Sequence, residues 1–314
     1  MLDIRRLQLL KEFADRGSIA GAAETLGYTP SAVSQQLSAL EREAGTQLLD
    51  RTARSAELTD GGRLLAEHAE QILAMVEAAE SVLAQQAGAV LGPVTVTAFP
   101  TAAVALAPLL AQRLHQQEGL QLVLRQSVGA AGVRQVSSAE VDIAVIDDWS
   151  GLPPDSGTGK LRHVHLLHDP LVLALPSDHP LADTSRPVEL ARLLEESWIH
   201  APRGEPSREG TDRLFARVGG APSTAWEFQG QGTILNLVAR GIGIAAVPAL
   251  ALASGTSGLA FRLLPQAPTR HAYAVVRATR MRRPAIELTL RALRRSAEEV
   301  QATLDTELHG TGAQ

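Results

Sequence analysis

The sequence predicts an α+β multidomain protein in three parts: a small helical N-terminal module finished by a short hairpin, one long amphipathic helix, and a two-lobed α/β C-terminal region. Three observations predict it. Three helical patterns follow one another within the first 45 residues, each closed by a glycine. A heptad-like apolar stripe then runs through residues 60–87. From Pro93 on, short apolar strands alternate with helical stretches, the pattern of α/β folds with mainly parallel sheets.

In the N-terminal module, Leu7, Leu10, Phe13 and Ala14 recur at helical spacing, and Gly17 stops the first helix. Ser18 is a good N-cap for a second helix whose inner face is Ile19, Ala22, Ala23 and Leu26, ended by Gly27. Thr29 caps the third, with Pro30 at its first position, where no amide donor is needed. Val33, Leu37, Leu40 and Ala44 face inward, and Gly45 closes the helix. Helix, tight glycine turn, helix is the geometry that lays a second helix in the DNA major groove. Off the apolar stripe of the third helix lie Ser31, Ser34, Gln35 and Ser38, with acids only at Glu41 and Glu43. Gln pairs bidentately with adenine, and Ser serves either base type. The segment from Leu48 to Thr59 reads as a hairpin, or wing. Its Arg51 and Arg54 are placed for phosphate or a narrow minor groove.

Charge gives this reading no help. The whole chain of 314 residues carries a formal net charge of −5. Residues 1–62 hold seven basic and nine acidic side chains, so the basic footprint of a DNA-binding domain is missing. The case rests on pattern. Hydrophobic content of 45% and charged content of 20% are those of a globular protein, and no apolar run is long enough to span a membrane. The first six residues, with Asp3, Arg5 and Arg6, do not read as a signal peptide. The chain has no cysteine, which excludes disulfides, thiolate metal sites and a thiol nucleophile. A cytoplasmic location is expected.

At this point the residues resemble a known family. GSIAGAAETLGYTPSAVSQQLSALE over Gly17–Glu41, GTQLLDR over Gly45–Arg51 and LTDGG over Leu58–Gly62 are similar to the LysR-type transcriptional regulators. The resemblance implies a third helix in the major groove, with the residues at Pro30, Ser31, Ser34 and Gln35 contacting DNA and Arg51 on a wing near the minor groove. Two positions depart from the family pattern. Pro30 stands where glutamine is common, and Gln35 where arginine is common, so base preference does not transfer. The full set expected at DNA is Ser18, Thr29, Pro30, Ser31, Ser34, Gln35, Ser38, Arg51 and Arg54. The resemblance also implies double-stranded operator DNA with an inverted repeat, a small-molecule effector, a homodimer or homotetramer, and contact with RNA polymerase.

Asp60 reads as the cap of the long helix, and Gly88 with Gly92 and Pro93 as its end. Leu65, His68, Ile72, Met75, Ala79 and Val82 alternate three and four apart. A lone amphipathic helix needs a partner surface. Leu65, Ile72, Met75, Ala79 and Val82 are assigned to dimerisation, against the alternative of packing on the chain's own C-terminal domain.

The boundaries expected are 1–60 for the DNA-binding module, 61–91 for the linker helix, 92–304 for the effector-binding domain and 305–314 for a tail. Strands are expected at Val94–Ala98, Leu120–Leu124, Asp142–Ile146, Leu171–Leu175, Trp198–Ile199, Gly243–Val247 and His271–Arg277. Helices are expected at Ala103–His115, Pro187–Leu194, Asp212–Val218, Ile234–Ala239 and Pro284–Leu304. VDIAVI over Val141–Ile146, PLVLALPSDHPL over Pro170–Leu181 and GIGIAAVP over Gly241–Pro248 resemble the effector-binding half of the same family, itself similar to periplasmic binding proteins. That implies two lobes, 92–165 with 268–304 and 166–267, with crossovers near His165–Leu167 and Pro265–Ala267. Ligands in such sheets lie beyond the carboxyl ends of strands and at helix N-termini. The rule selects Phe99, Pro100, Thr101, Ser127, Val128, Asp147, Pro202, Arg203, Gln231 and Thr233.

No enzyme constellation is found. Gly157–Lys160 has part of a phosphate-loop pattern but lacks its first glycine and the hydroxyl residue after the lysine. Gly241 and Gly243 lack the third glycine of a dinucleotide fingerprint. His163, His165 and His168 match no standard metal spacing, and strict strand alternation puts His163 and His165 on one face and His168 on the other. No metal and no cofactor are expected.

Overall fold

The computed structural model describes residues 1–51, 56–86, 92–127, 131–150, 160–183 and 187–310. Arg54, Val128 and most of the Gly157–Lys160 stretch lie outside the described residues. So do the side chains of Arg51 and Val82. The chain divides into two units: residues 1–91 with 278–284, and residues 92–277 with 285–314.

The first unit is built on helices α1 (Ile4–Arg16), α2 (Ile19–Leu26) and α3 (Pro30–Ala44), strands β1 (Leu49–Arg51) and β2 (Ala56–Leu58), and helix α4 (Asp60–Gln86). The expected caps are in place. Ser18 Oγ accepts from Gly21 N–H at 3.0 Å and Thr29 Oγ1 from Ala32 N–H at 3.3 Å. The first three helices end on left-handed glycines, Gly17, Gly27 and Gly45, with φ of 69°, 69° and 68°, a conformation that costs a side chain energy. Leu7, Leu10, Phe13, Val33, Leu37 and Leu40 form the core with Ala22 and Ala23. Ala14 is exposed instead, and Leu9 takes the inward place. Strands β1 and β2 are antiparallel, with Leu49 opposite Leu58 and Arg51 opposite Ala56.

Helix α4 departs from expectation at its start and along its face. Its cap is Thr59, not Asp60: Thr59 Oγ1 accepts from Gly62 N–H at 3.0 Å and donates to Gln47 O at 2.8 Å. Asp60 sits in the first turn and pairs with Arg63 at 2.5 Å. Gly62 is required by close approach, because a Cβ there would lie 2.0 Å from Leu48 O. Ala66 and Ala69 are buried, and Leu65 and Ile72 pack on the module's own core. The apolar side chains left outward are Leu64, Met75 and Leu83, 58%, 67% and 65% exposed, with His68 and Ala79 also exposed. The free stripe is therefore rotated from the one the heptads suggested, since Leu65 and Ile72 are spent inside.

The second unit holds β3 (Gly92–Ala98), α5 (Pro100–Leu114), β4 (Leu120–Gln126), α6 (Ala131–Ser137), β5 (Ile143–Asp148), β6 (Leu161–Pro176), β7 (Trp198–His200), α7 (Pro206–Ala216), β8 (Thr224–Glu227), α8 (Gln231–Ala239), β9 (Ala245–Pro248), β10 (Leu259–Leu263), β11 (Thr269–Arg277) and α9 (Pro284–Gly310). Strands β4, β3 and β5 run parallel, and β11 joins them antiparallel, lying between β5 and the first half of β6. The second half of β6 lies between β9 and β10, both antiparallel to it. Strands β7 and β8 pair in parallel beside them. One strand thus serves two sheets, and it changes partners between Pro170 and Leu171, beyond the expected His165–Leu167. There Leu171 N–H donates to Pro268 O at 2.9 Å, tying the first crossover to the second.

The second lobe closes over Leu173, Leu175, Leu193, Trp198, Leu214, Phe215 and Ile244. Trp198 is fully buried, and its indole N–H is satisfied by Leu193 O at 2.7 Å. The helix expected over Pro187–Leu194 is only a short 3-10 turn at Arg192–Glu195. Helix α7 begins at Pro206, six residues before the expected start. Helix α6 and strands β8 and β10 carried no readable pattern.

Candidate DNA interface and effector cleft

Helix α3 presents Pro30, Ser31 and Gln35 to solvent, with Ser34 and Ser38 half-buried beside them. Thr29 Oγ1 lies 3.1 Å from Ser31 Oγ, so the cap and the first exposed hydroxyl form one polar group. The acids farther along the helix are turned to internal partners. Glu41 Oε1 accepts from the N–H groups of Leu48 and Leu49, both at 3.0 Å, holding the start of the wing. Glu43 pairs with Arg6 and accepts from Asp3 N–H at 3.1 Å. Elsewhere in the module Lys11 pairs with Asp15, and Arg16 with Glu12. These pairs use one base for each acid and leave the module's net charge unchanged, while the N-terminal half of α3 is polar and uncharged. Ser18 is a cap whose exposed side chain is committed to Gly21.

In the second unit the strongest polar assembly centres on a residue that sequence reasoning missed. Arg270, 6% exposed at the start of β11, donates from Nε to Asp169 Oδ2 at 2.6 Å, from one terminal nitrogen to Asp147 Oδ2 at 3.3 Å and from the other to Thr101 Oγ1 at 2.5 Å. Its guanidinium lies over the Phe99 ring at 4.6 Å and near Trp149 at 5.7 Å. Trp149 Nε1 donates to Asp147 at 3.2 Å. Asp169 is fully buried and also accepts from Leu250 N–H at 2.9 Å. Burial pushes its pKa up, and the Arg270 charge and the Leu250 N–H oppose that.

Three expected cleft residues, Phe99, Thr101 and Asp147, therefore meet around one buried cation at the carboxyl ends of β3 and β5. Pro100 is exposed at the first turn of α5. Ser127, just past β4, donates its backbone N–H to Ala98 O at 2.9 Å, and its Oγ is buried without a hydrogen-bond partner among the described residues. On the second lobe Gln231 Oε1 is in the same state, and Pro202, Arg203 and Thr233 are half-buried, exposed and exposed. None of these four is among the partners of Arg270. His200, at the end of β7, stacks on Trp198 with ring centroids 5.4 Å apart, and its Nε2 is also buried and unsatisfied. Burial, with the charge of Arg208 adding and that of Asp212 opposing, pushes the His200 pKa down to about 4. Buried polar atoms without protein partners are costly, and among the described residues those of Ser127 and His200 lie at strand ends.

Arg270, Asp169 and His200 are buried polar residues within strands. A charge in such a strand must find a partner, so the strands themselves held the signal, but the partner's identity depends on chain folding across 101 residues.

A winged helix-turn-helix joined to a two-lobed α/β domain with polar groups at its strand ends is the architecture of a ligand-responsive DNA-binding protein. Residues 4–63 match the bacterial regulatory helix-turn-helix protein, lysR family, and residues 87–298 match the LysR substrate binding domain. The chain belongs to the LysR family and is a DNA-binding transcription regulator, not an enzyme. It is 28% identical over 252 residues to a hydrogen peroxide-inducible genes activator from Dickeya chrysanthemi, covering 80% of each chain. Among solved structures it is similar to a full-length OxyR variant from Pseudomonas aeruginosa, with a TM-score of 0.65, 21% identity and coverage of 94% and 95% of the two chains. It is also similar to full-length CbnR complexed with its target DNA, with a TM-score of 0.53, 23% identity and coverage of 94% and 100%. Among the described residues no helix is long and apolar enough to cross a membrane.

Proposed function

We propose that the protein reads an inverted-repeat operator with α3, as a cytoplasmic homodimer or homotetramer, and that a small molecule bound between the lobes sets its activity. The observation that carries this is the polar, acid-free start of α3, with Glu41 and Glu43 both directed into the module. In this reading Gln35 contacts a base edge, with Pro30, Ser31 and Ser34 around it and Ser38 farther along. Ser18 and Thr29 offer contacts at helix starts, and Arg51 and Arg54 meet the phosphate backbone from the wing. Two copies join through the outward stripe of α4, Leu64, Met75, Ala79 and Leu83. The effector lies against Phe99, Thr101, Ser127 and Asp147 on one lobe and Pro202, Arg203, Gln231 and Thr233 on the other. Pro100 belongs to the same set, and Val128 is an expected member outside the described residues.

The peroxide role in the first relative's name does not carry over by thiol chemistry, because this chain has no cysteine to oxidise. Binding of Gln35→Ala to a selected operator tests the DNA reading. Affinity for the operator should fall by about 1–3 kcal/mol, with preference relaxed at one or two positions and random DNA bound as before. Equal loss on all sequences would remove Gln35 from base reading.

A further inference from the structure

We propose that His165, His168 and His271 form a binding site for one divalent transition-metal ion of the zinc, cobalt, nickel or copper class. Strict alternation along β6 would separate His165 from His168. The ladder with β11 breaks that alternation: Tyr273 faces His165 and Ala272 faces Leu167, so Leu166 is an extra residue in β6. The bulge returns His168 to the face of His165, and the sequence expectation of opposite faces is corrected. His271 lies directly opposite His168 on β11, completing a three-imidazole cluster across two paired strands.

The ligand atoms converge. His168 Nδ1 lies 3.1 Å from His271 Nδ1, and His271 Nδ1 lies 3.4 Å from His165 Nε2. All three ligand nitrogens lie within 4.8 Å of one another. Tetrahedral coordination at a zinc–nitrogen distance of about 2.0–2.1 Å separates neighbouring ligands by about 3.3–3.4 Å. The 3.1 and 3.4 Å contacts bracket that value, and the third pair lies within 4.8 Å. Hydrogen bonding alone suits the cluster less well. His271 Nδ1 faces two ring nitrogens at once and has either one proton or one lone pair to offer, whereas a cation accepts a lone pair from every ring.

The support is rigid, as precise sites require. Strand β11 lies between β5 and β6, and the β6 segment that carries His165 and His168 is held by β11 on one side and by α9, where His168 N–H donates to Gln301 Oε1 at 2.8 Å. Tyr273 packs its ring 5.3 Å from His165, and Asp148 stands opposite His271 on β5. Three nitrogen donors without thiolate or paired carboxylates select the borderline metals over magnesium and calcium. His165 and His168 are exposed, so a fourth position is open to water or a small anion. The site lies two residues before Pro170, so a bound ion would cross-link β6 and β11 beside the strand crossover.

Titration of the full-length, chelator-treated chain with cobalt(II) tests the proposal, read by the visible absorption of the bound ion and its displacement by zinc(II). One ion per chain is expected. His168→Gln and His271→Gln should each weaken binding by more than about tenfold, the least that loss of even an outer-shell partner costs. His115→Gln, at the C-terminal cap of α5, should bind as the parent does, which separates the site from adventitious capture by the nine histidines of the chain. A second measurement needs no substitution: zinc(II) should protect His165, His168 and His271 from diethyl pyrocarbonate, mapped by mass spectrometry, while leaving His115 reactive. Absence of binding, binding indifferent to His168 and His271, or uniform protection of all histidines would overturn the proposal.

Discussion

The two units treat charge in opposite ways. In the N-terminal unit most of the ion pairs join neighbouring helix turns, such as Arg16 with Glu12 and Arg63 with Asp60, and Arg6 with Glu43, which links α1 to α3 across 37 positions, is only half-buried. In the C-terminal unit the main pair, Arg270 with Asp169, is buried and joins residues 101 positions apart. The first arrangement turns Glu41 and Glu43 to internal partners and leaves the start of α3 without acids. The second holds together the carboxyl ends of β3 and β5, where the proposed effector would lie. Local chemistry builds the reading head, and long-range chemistry builds the sensor.

The largest expected effect breaks the buried pair. Asp169→Ala leaves Arg270 buried beside the partly exposed Asp147 alone and should cost about 3–5 kcal/mol in denaturant unfolding. Arg16→Ala, at an exposed pair, should cost about 0.5 kcal/mol or less. Comparable losses at the two sites would erase the contrast.

An intermediate effect concerns assembly. Met75→Asp puts a charge on the outward stripe of α4 and should shift sedimentation toward monomer, while the module keeps its fold because Met75 is not part of its core. An unchanged oligomer would move the interface off that stripe.

The smallest effect on stability is at Ser127, whose Oγ has no hydrogen-bond partner among the described residues. Ser127→Ala should change unfolding by about 0.5 kcal/mol or less. It should also diminish the rise in melting temperature given by any small molecule that stabilises the parent chain in a metabolite screen. A full ligand response in Ser127→Ala would place the effector away from the end of β4.

The same contrast explains what could be read in the sequence. Ser18, Thr29, Gly17, Gly27 and Gly45 act within a few residues of themselves, and their helices lie where caps and periodicity put them. Asp60 was misplaced by one position, because Thr59 and Asp60 are both capping residue types, and Ala14 was misplaced because spacing does not decide which edge of a helix's apolar face is covered. Leu65 and Ile72 show the limit of a heptad: the pattern identifies an apolar face but does not say whether the chain's own module or a second copy covers it. In the C-terminal unit the strand-end rule found Phe99, Thr101 and Asp147, since position in a β-α unit is itself local. It missed Arg270 and Asp169, whose pairing depends on β6 crossing between two sheets. It missed the His165, His168 and His271 cluster because one extra residue at Leu166 reverses the face of everything after it. A bulge has no reliable signature in a run of apolar residues.

Selection of genomic DNA fragments by the purified full-length protein at physiological salt tests the central claim most directly, that this chain is a sequence-specific regulator reading paired half-sites through α3. The account predicts enrichment of a short inverted repeat upstream of a few genes, and loss of that enrichment with Gln35→Ala. Strong enrichment of one repeat that Gln35→Ala leaves intact, or uniform recovery of fragments whatever their sequence, would contradict it.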